Sequence, residues 1–446
     1  MQSILNVVLV AAAGFNATCI WNSAACAHGV DGDPPVAFTD CTEQSFEDTE
    51  SFAVALDDLD QDGDLDAVVA NLAYPGEVDR NTVWHNDGQG NYILAQEMPV
   101  SQSNNVALGD ADNDGDMDIF FADSLEVTLW LNGGDGLFSF SGRLCSFTQS
   151  PCSNNYGIAL GDLNADGHLD CVCVGGNGGR SFVLFGSGVN GKFEESQNLG
   201  FDNSYDVALG DLDADGDLDL VIANSEQPNT IWINNGGTFE DSGQALDADA
   251  TSFGVAMGDL DQDGDLDLVF SNPLGRSAVW INDGEGTFTS PFPPEKGPGQ
   301  GSYAVALGDV DEDDDLDAMI TKYQQPNEVW LNEGNGSFTD SGLRLGNSNS
   351  YDVALGDLDD DGDLDAMITN LGQPNTVWIN GSCESCIADL DGDNMIDASD
   401  LGRLLNEWTA DDPCQGDACL AADLNGDGKV GAKDLAMLLG EWGACQ

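Results

Sequence analysis

The sequence predicts an all-β seven-bladed β-propeller followed by a small α-helical domain, and three observations predict it. An aspartate-rich frame recurs seven times at spacings of 48 to 52 residues. Short apolar runs separated by Gly- and Asn-rich turns fill the intervals, without the 3.6-residue period of helices. From residue 382 onward the pattern changes to two loop-and-helix units whose first residues lie 34 apart.

A period near fifty residues marks a propeller or a solenoid, and seven copies suit a closed ring. In each copy a run such as "YDVALGD" precedes the aspartates and "LDLVIAN" follows them. "NTIWIN", an "NGG" turn and "TFEDSG" complete four strands. The seventh copy stops at "NTVWINGSC" without its fourth strand. "VAFTDC", residues 36–41, matches "GSFTDS", residues 336–341, and Phe38 precedes Asp58 by the same 20 residues that separate Phe239 from Asp259. Residues 36–46 are therefore expected to supply the outer strand of the last blade, removing an open sheet edge. The propeller is assigned to residues 28–381 and the small domain to 382–446.

Against 11 Lys plus Arg stand 81 Asp plus Glu, a net charge of -70. Nucleic acid is a poor partner for such a chain, because phosphate binding needs a basic footprint. The chain is nonetheless 41% hydrophobic with nine Trp and nineteen Phe, enough for a core. The charge sits in the repeated frame, which points to a site rather than a solvating tail.

The frame reads D-x-D-x-D-G-D-x-D, with an oxygen at every second residue of a tight loop. Calcium takes six to eight hard oxygen ligands in loose geometry. Position 1 supplies Asp58, Asp110, Asp162, Asp211, Asp259, Asp309 and Asp357. Position 3 supplies Asp60, Asp112, Asn164, Asp213, Asp261, Asp311 and Asp359. Position 5 supplies Asp62, Asp114, Asp166, Asp215, Asp263, Asp313 and Asp361, and position 9 supplies Asp66, Asp118, Asp170, Asp219, Asp267, Asp317 and Asp365. Position 7 offers a backbone carbonyl, from Asp64, Asp116, His168, Asp217, Asp265, Asp315 and Asp363. Gly at position 6 lets the loop turn sharply. Asp314 replaces it in the sixth copy, where weaker binding is expected. Without a cation, neighbouring carboxylates at ~4 Å repel by up to ~4 kcal/mol per pair near a protein surface.

These repeats resemble the FG-GAP/VCBS family, found in integrin α-subunit propellers and many bacterial surface proteins, over about residues 36–381. The resemblance implies a seven-bladed propeller with calcium in the loop joining the first two strands of each blade. The family's motif does not require Asp at position 7, so those side chains are expected to be exposed.

The C-terminal units begin "DLDGDNMIDASDL" and "DLNGDGKVGAKDL". Oxygens fall at positions 1, 3, 5 and 12 of each loop: Asp389, Asp391, Asp393 and Asp400, then Asp423, Asn425, Asp427 and Asp434. That is EF-hand spacing with Asp in place of the final Glu. Leu401, Leu404, Leu405 and Trp408, and again Leu435, Leu438, Leu439 and Trp442, put one apolar face on each following helix. The pair resembles a type I dockerin, which implies a cohesin-like partner for residues 382–446. The usual hydroxyl pair at loop positions 10 and 11 is Ala398–Ser399 and Ala432–Lys433 here, so a self-contained calcium-stabilised cap is the alternative. Calcium is thus expected at up to nine sites.

"ILNVVLVAAA" and the small-x-small "ACA" at 25–27 read as a signal peptide over residues 1–27, although no Lys or Arg precedes the run. The run is too short for a transmembrane span. Twelve Cys also fit export. Cys145 and Cys152 are placed to bridge, and Cys171 and Cys173 share one strand face. His28, His85 and His168 lie in no nucleophile motif, and no carboxylate pair is marked as a glycosidase pair, so no enzyme is expected. Arg80, Arg180, Arg276 and Lys322 map to second-to-third strand turns, and Arg143, Lys296 and Arg344 to connectors, with Lys192 alone on the calcium face. A protein or polysaccharide ligand is accordingly expected on the face opposite calcium. The reading is a secreted or cell-surface calcium-binding propeller for adhesion, scaffolding or ligand binding. Its alternative is a polysaccharide-binding or polysaccharide-degrading component of an extracellular complex.

Overall fold

A computed structural model describes residues 24–27, 36–40, 46, 49–72, 80–100, 102–146, 154–189, 191–247, 251–290 and 297–381. In the C-terminal region it describes 395–396, 401, 403–405, 429–430, 433, 435 and 443–444.

The run after each aspartate loop sets the architecture. Asp66–Asn71, Asp118–Asp123, Asp170–Gly175, Asp219–Asn224 and Asp317–Lys322 are strands buried at every position. A short continuous apolar run becomes such a strand when further layers cover both of its faces. The covering layers are the neighbouring repeats. Ala53, Val68, Val83 and Met98 of the first repeat pack with Val106, Ile119 and Phe121 of the second. The same pairing recurs along the chain, and Leu358, Met367 and Ile379 of the seventh repeat pack with Val54, Val69 and Trp84 of the first.

Five antiparallel four-stranded sheets follow chain order, the first made of Ser103–Gly109, Asp118–Asp123, Glu126–Asn132 and Phe138–Ser146. The expectation of seven separate blades meets six large sheets. Leu371 pairs with Glu50 and Gln373 with Thr49, which joins the first and seventh repeats in one nine-stranded sheet. In that sheet Val36–Asp40 lies against Thr376–Asn380, with Phe38 opposite Asn380. Ala24–Ala27, which contains the small-x-small stretch, adds a strand outside it.

One carboxylate positions each loop. In the fourth repeat the Leu212 and Asn234 amides donate to Asp219 Oδ2 and Oδ1 at 2.9 and 2.7 Å. Position 9 holds the same two bonds in every repeat, from Asp66 to Asp365. The asparagine then reaches back: Asn234 Nδ2 donates to the Leu163 carbonyl of the preceding repeat at 2.8 Å. Asn132, Asn282, Asn332 and Asn380 do likewise. Asn86 donates to the Leu358 carbonyl, 272 residues away. Gly186 takes this place in the third repeat, which has no such side chain.

Phe38 is fully buried beside Val329, Leu345 and Trp378. Phe38→Ala should lower stability by about 3–5 kcal/mol, read as a denaturant midpoint shift, as for a large-to-small change in a core. An unchanged midpoint would mean that this strand is not part of the cooperative unit.

Candidate metal loops

Each loop is folded by its own carboxylates. In the first, the Asp62 and Gly63 amides donate to Asp58 Oδ1 and Oδ2, both at 3.1 Å, and the Asp64 amide donates to Asp62 Oδ1. The fourth and fifth loops repeat the set. The residue at position 4 turns left-handed in all seven, with φ between 57° and 64° at Gln61, Asn113, Ala165, Ala214, Gln262, Glu312 and Asp360. Asp314 adopts φ 70° where the other loops have Gly, and its amide still donates to Asp309 Oδ2. The sixth loop therefore keeps the shared geometry.

Position 3 is different. One oxygen each of Asp60, Asp112, Asp213, Asp261 and Asp359 is buried without a hydrogen-bond partner. A buried carboxylate oxygen left so costs folding energy unless a cation meets it. Position 1, 3 and 5 oxygens of Asp58, Asp60 and Asp62 lie within 4.8 Å of one another, as do those of Asp259, Asp261 and Asp263. In other loops position 9 joins, as in Asp110, Asp112 and Asp118, and in Asp211, Asp213 and Asp219. These hard oxygens around an orphaned acceptor fit calcium. Asn164 instead accepts the Asp166 amide at 2.9 Å, so the third loop is partly self-satisfied.

Burial and crowding raise the carboxyl pKa values. Burial, partly offset by the two amide bonds, pushes Asp66, Asp170, Asp219 and Asp267 up to about 6, Asp118 to about 7, and Asp317 and Asp365 to about 8. Asp112, Asp213 and Asp261 are raised by burial and then by their Asp neighbours.

Sequence reasoning missed how the loops touch. The position-7 side chains of Asp116, Asp315 and His168 are engaged by neighbouring loops rather than standing alone. Gln61 donates to Asp116 and Gln262 to Asp315, each from the preceding repeat, and Asn113 meets His168 Nδ1 at 2.7 Å. The Gly-rich turn of the same repeat covers the other side: the Gly236 amide donates to Asp217 at 2.8 Å. A Cβ at Gly134 would stand 2.8 Å from Asp116 Oδ2. His85 also joins the first loop, with Nδ1 3.2 Å from Asp60 and its Nε2 buried without a partner. The signal was "VWHN" where the fifth and seventh repeats read "VWIN".

The basic residues are mostly paired. Arg80 meets Glu97, Arg143 meets Glu126, Arg180 meets Glu195, Lys322 meets Glu328, and Arg344 meets Asp340. These local counter-charges remove most of the basic face read from the sequence. Lys296 lies outside the described residues. Cys145 is disulfide-bonded, while Cys152, its expected partner, lies outside them, and Cys171 and Cys173 are free thiols with sulfurs 3.4 Å apart. All eight C-terminal loop ligands also lie outside the described residues. Around them, Leu401, Leu404 and Leu435 are helical, and Leu404 and Val430 are fully buried.

Two variants separate position 3 from position 9. Asp219→Ala removes two backbone partners and should destabilise the protein by about 2–4 kcal/mol with or without calcium. Asp213→Ala should reduce the calcium-induced rise in Tm while leaving or raising the Tm in chelator, because it deletes an orphaned charge. A Tm loss in chelator as large as that of Asp219→Ala would contradict this assignment. The pH dependence has a definite sign. Carboxyls with raised folded pKa values stabilise the metal-free fold below about pH 4, and lose that contribution as pH rises toward about 8. The calcium-induced Tm rise should therefore be larger at pH 8 than at pH 5, and a rise that shrinks with pH would count against the loops as sites.

The FG-GAP-like repeat matches residues 58–121, 110–173, 162–222, 211–270 and 259–320, more than half of the chain, and the dockerin type I domain matches residues 387–440. No curated protein matches. Among solved structures, BBS1N in complex with ARL6DN, soaked with lead, is similar with a TM-score of 0.52 at 13% identity, over 77% of this chain and 97% of that one. Its mercury-soaked counterpart gives 0.50 at 11%, over 76% and 96%. At such identity the likeness speaks only to a β-propeller-like fold. Dockerin type I domains bind calcium, bind cohesins and occur in extracellular complexes, and both kinds of module are typically non-catalytic. No helix among the described residues is long and apolar enough to cross a membrane. The chain belongs to the FG-GAP-like repeat family and carries a C-terminal dockerin type I domain.

Proposed function

We propose that this protein is a secreted or surface-displayed binding module: a closed ring of seven calcium-loaded blades, presented to an extracellular complex by its dockerin. The observation that carries the reading is the buried, unpartnered position-3 oxygen that recurs in five loops. Closure of the ring is supported by the Asn86 to Leu358 bond, and by Asp352, whose carboxylate accepts the Val54 amide at 3.1 Å from the far end of the repeat array. Calcium in the loops would bind the folded state preferentially and stabilise it by mass action. The dockerin loops, Asp389 to Asp400 and Asp423 to Asp434, would hold two further ions and fold the small domain, which has too little core to stand unaided. The ring would then act in adhesion, scaffolding or ligand binding, and docking would set where it acts.

Docking is tested with the full chain against immobilised cohesin domains. Capture is expected in calcium and should be lost in chelator. Deleting residues 382–446 should abolish capture while leaving the calcium-dependent Tm of the ring unchanged. Failure of every cohesin to capture the calcium-loaded chain would overturn the docking role and leave the small domain as a cap.

A further inference from the structure

The sixth repeat departs from its siblings at two coupled positions. "VIANSEQPNTIWIN", residues 221–234, becomes "MITKYQQPNEVWLN", residues 319–332. In the fourth repeat Asn224 donates to the Pro228 carbonyl at 2.8 Å, and Thr230 accepts the Trp232 indole N–H at 3.3 Å. The seventh repeat does the same with Asn370 and Thr376. In the sixth, Lys322 and Glu328 replace this pair. Lys322, only 4% exposed, forms an ion pair with Glu328, and Glu328 accepts the Trp330 indole N–H at 3.0 Å. Asp340 and Arg344 extend the network at 2.7 Å.

Lys322, Glu328, Trp330 and Asp340 line a cavity of about 540 Å³ between the fifth and sixth repeats, within the range of ~300–1,000 Å³ typical of small-molecule sites. Gln300, Gln325 and Arg276 close its other sides. Arg276 lies 5.7 Å from the Trp330 ring centroid and donates to the Gly297 carbonyl at 2.8 Å. No carboxylate among the described residues is within ion-pair distance of it, in contrast to Arg80, Arg143, Arg180, Lys322 and Arg344. In a chain of net charge -70, a cation held at a cavity wall without a counter-ion among the described residues suits a carboxylate ligand.

We propose that this cavity binds an acidic sugar residue. The uronate carboxylate meets Arg276, the sugar hydroxyls exchange hydrogen bonds with Gln300, Gln325 and Asp340, and Trp330 forms the apolar wall. The carboxamides and the carboxylate both suit hydroxyls, because each hydroxyl donates one bond and accepts others. Among the described residues no other repeat combines the Lys–Glu replacement with an arginine that has no ion pair, so one such site is expected in the ring. The proposal rests on the reading of the ring as a binding module and gives it a ligand class.

Calorimetry on the full chain in calcium tests it, using a disaccharide that carries one uronate beside its carboxyl-reduced neutral form. The acidic form should bind about tenfold more tightly, and rising salt should weaken it. Arg276→Gln should lower its affinity about tenfold. A second variant restores the fourth repeat's own residues, Lys322→Asn with Glu328→Thr. Sibling repeats build the same strands from them, so it should fold, keep its calcium-dependent Tm and cohesin capture, and bind the sugar more weakly, because the Lys322–Glu328 ion pair no longer shapes the cavity wall. Equal binding of the two sugars, unchanged affinity in both variants, or preference for a carboxylate-bearing peptide over the sugar would overturn the proposal. Calcium-dependent melting and cohesin capture, measured on the same samples, show whether the broader reading stands without it.

Discussion

The structure depends on one buried carboxylate per repeat accepting two backbone amides. Burying an ionised carboxyl is unfavourable unless charge-assisted bonds or a cation compensate. The position-9 aspartate receives both amides from its own repeat, one from the loop and one from the end of the third strand. It thereby fixes the asparagine at that strand end, whose side chain bonds to the preceding repeat. Local turn, sheet and inter-repeat contact are thus set by a single residue, and the same bond spans the two ends of the repeat array.

The consequence is a preorganised loop. Position 1 and position 5 carboxylates are spent on loop amides, so the loop shape does not wait for metal. What remains is the position-3 oxygen, buried and unsatisfied in five loops. A metal-free protein carries that cost together with crowded like charges. Calcium, as proposed, would offset that cost by meeting the oxygen in the folded state.

Much of this was legible in the sequence, for a physical reason. Side chains alternate along a tight loop, so an oxygen at every second residue is visible without coordinates, and the fifty-residue period locates each copy. Phe38, marked in the sequence by its 20-residue offset from Asp58, pairs with Asn380. Contacts between repeats were not legible, because their partners lie 55 residues apart and no motif marks them. Gln61 against Asp116, and Asn113 against His168, are examples. The basic face failed for a related reason. Placing Arg80 and Arg143 by strand topology could not reveal that Glu97 and Glu126 stand across the adjacent strand of the same sheet. The merging of the first and seventh repeats into one sheet rests on two residue pairs at strand ends, Leu371 with Glu50 and Gln373 with Thr49, which no pattern announces.

The central claim is that the repeat loops, and not only the dockerin, hold calcium. Native mass spectrometry of the full chain in calcium counts the bound ions directly. The account predicts more than two ions per chain, rising toward nine as the third and sixth loops fill. A chain that binds two ions and no more, with the repeat loops silent, would contradict it.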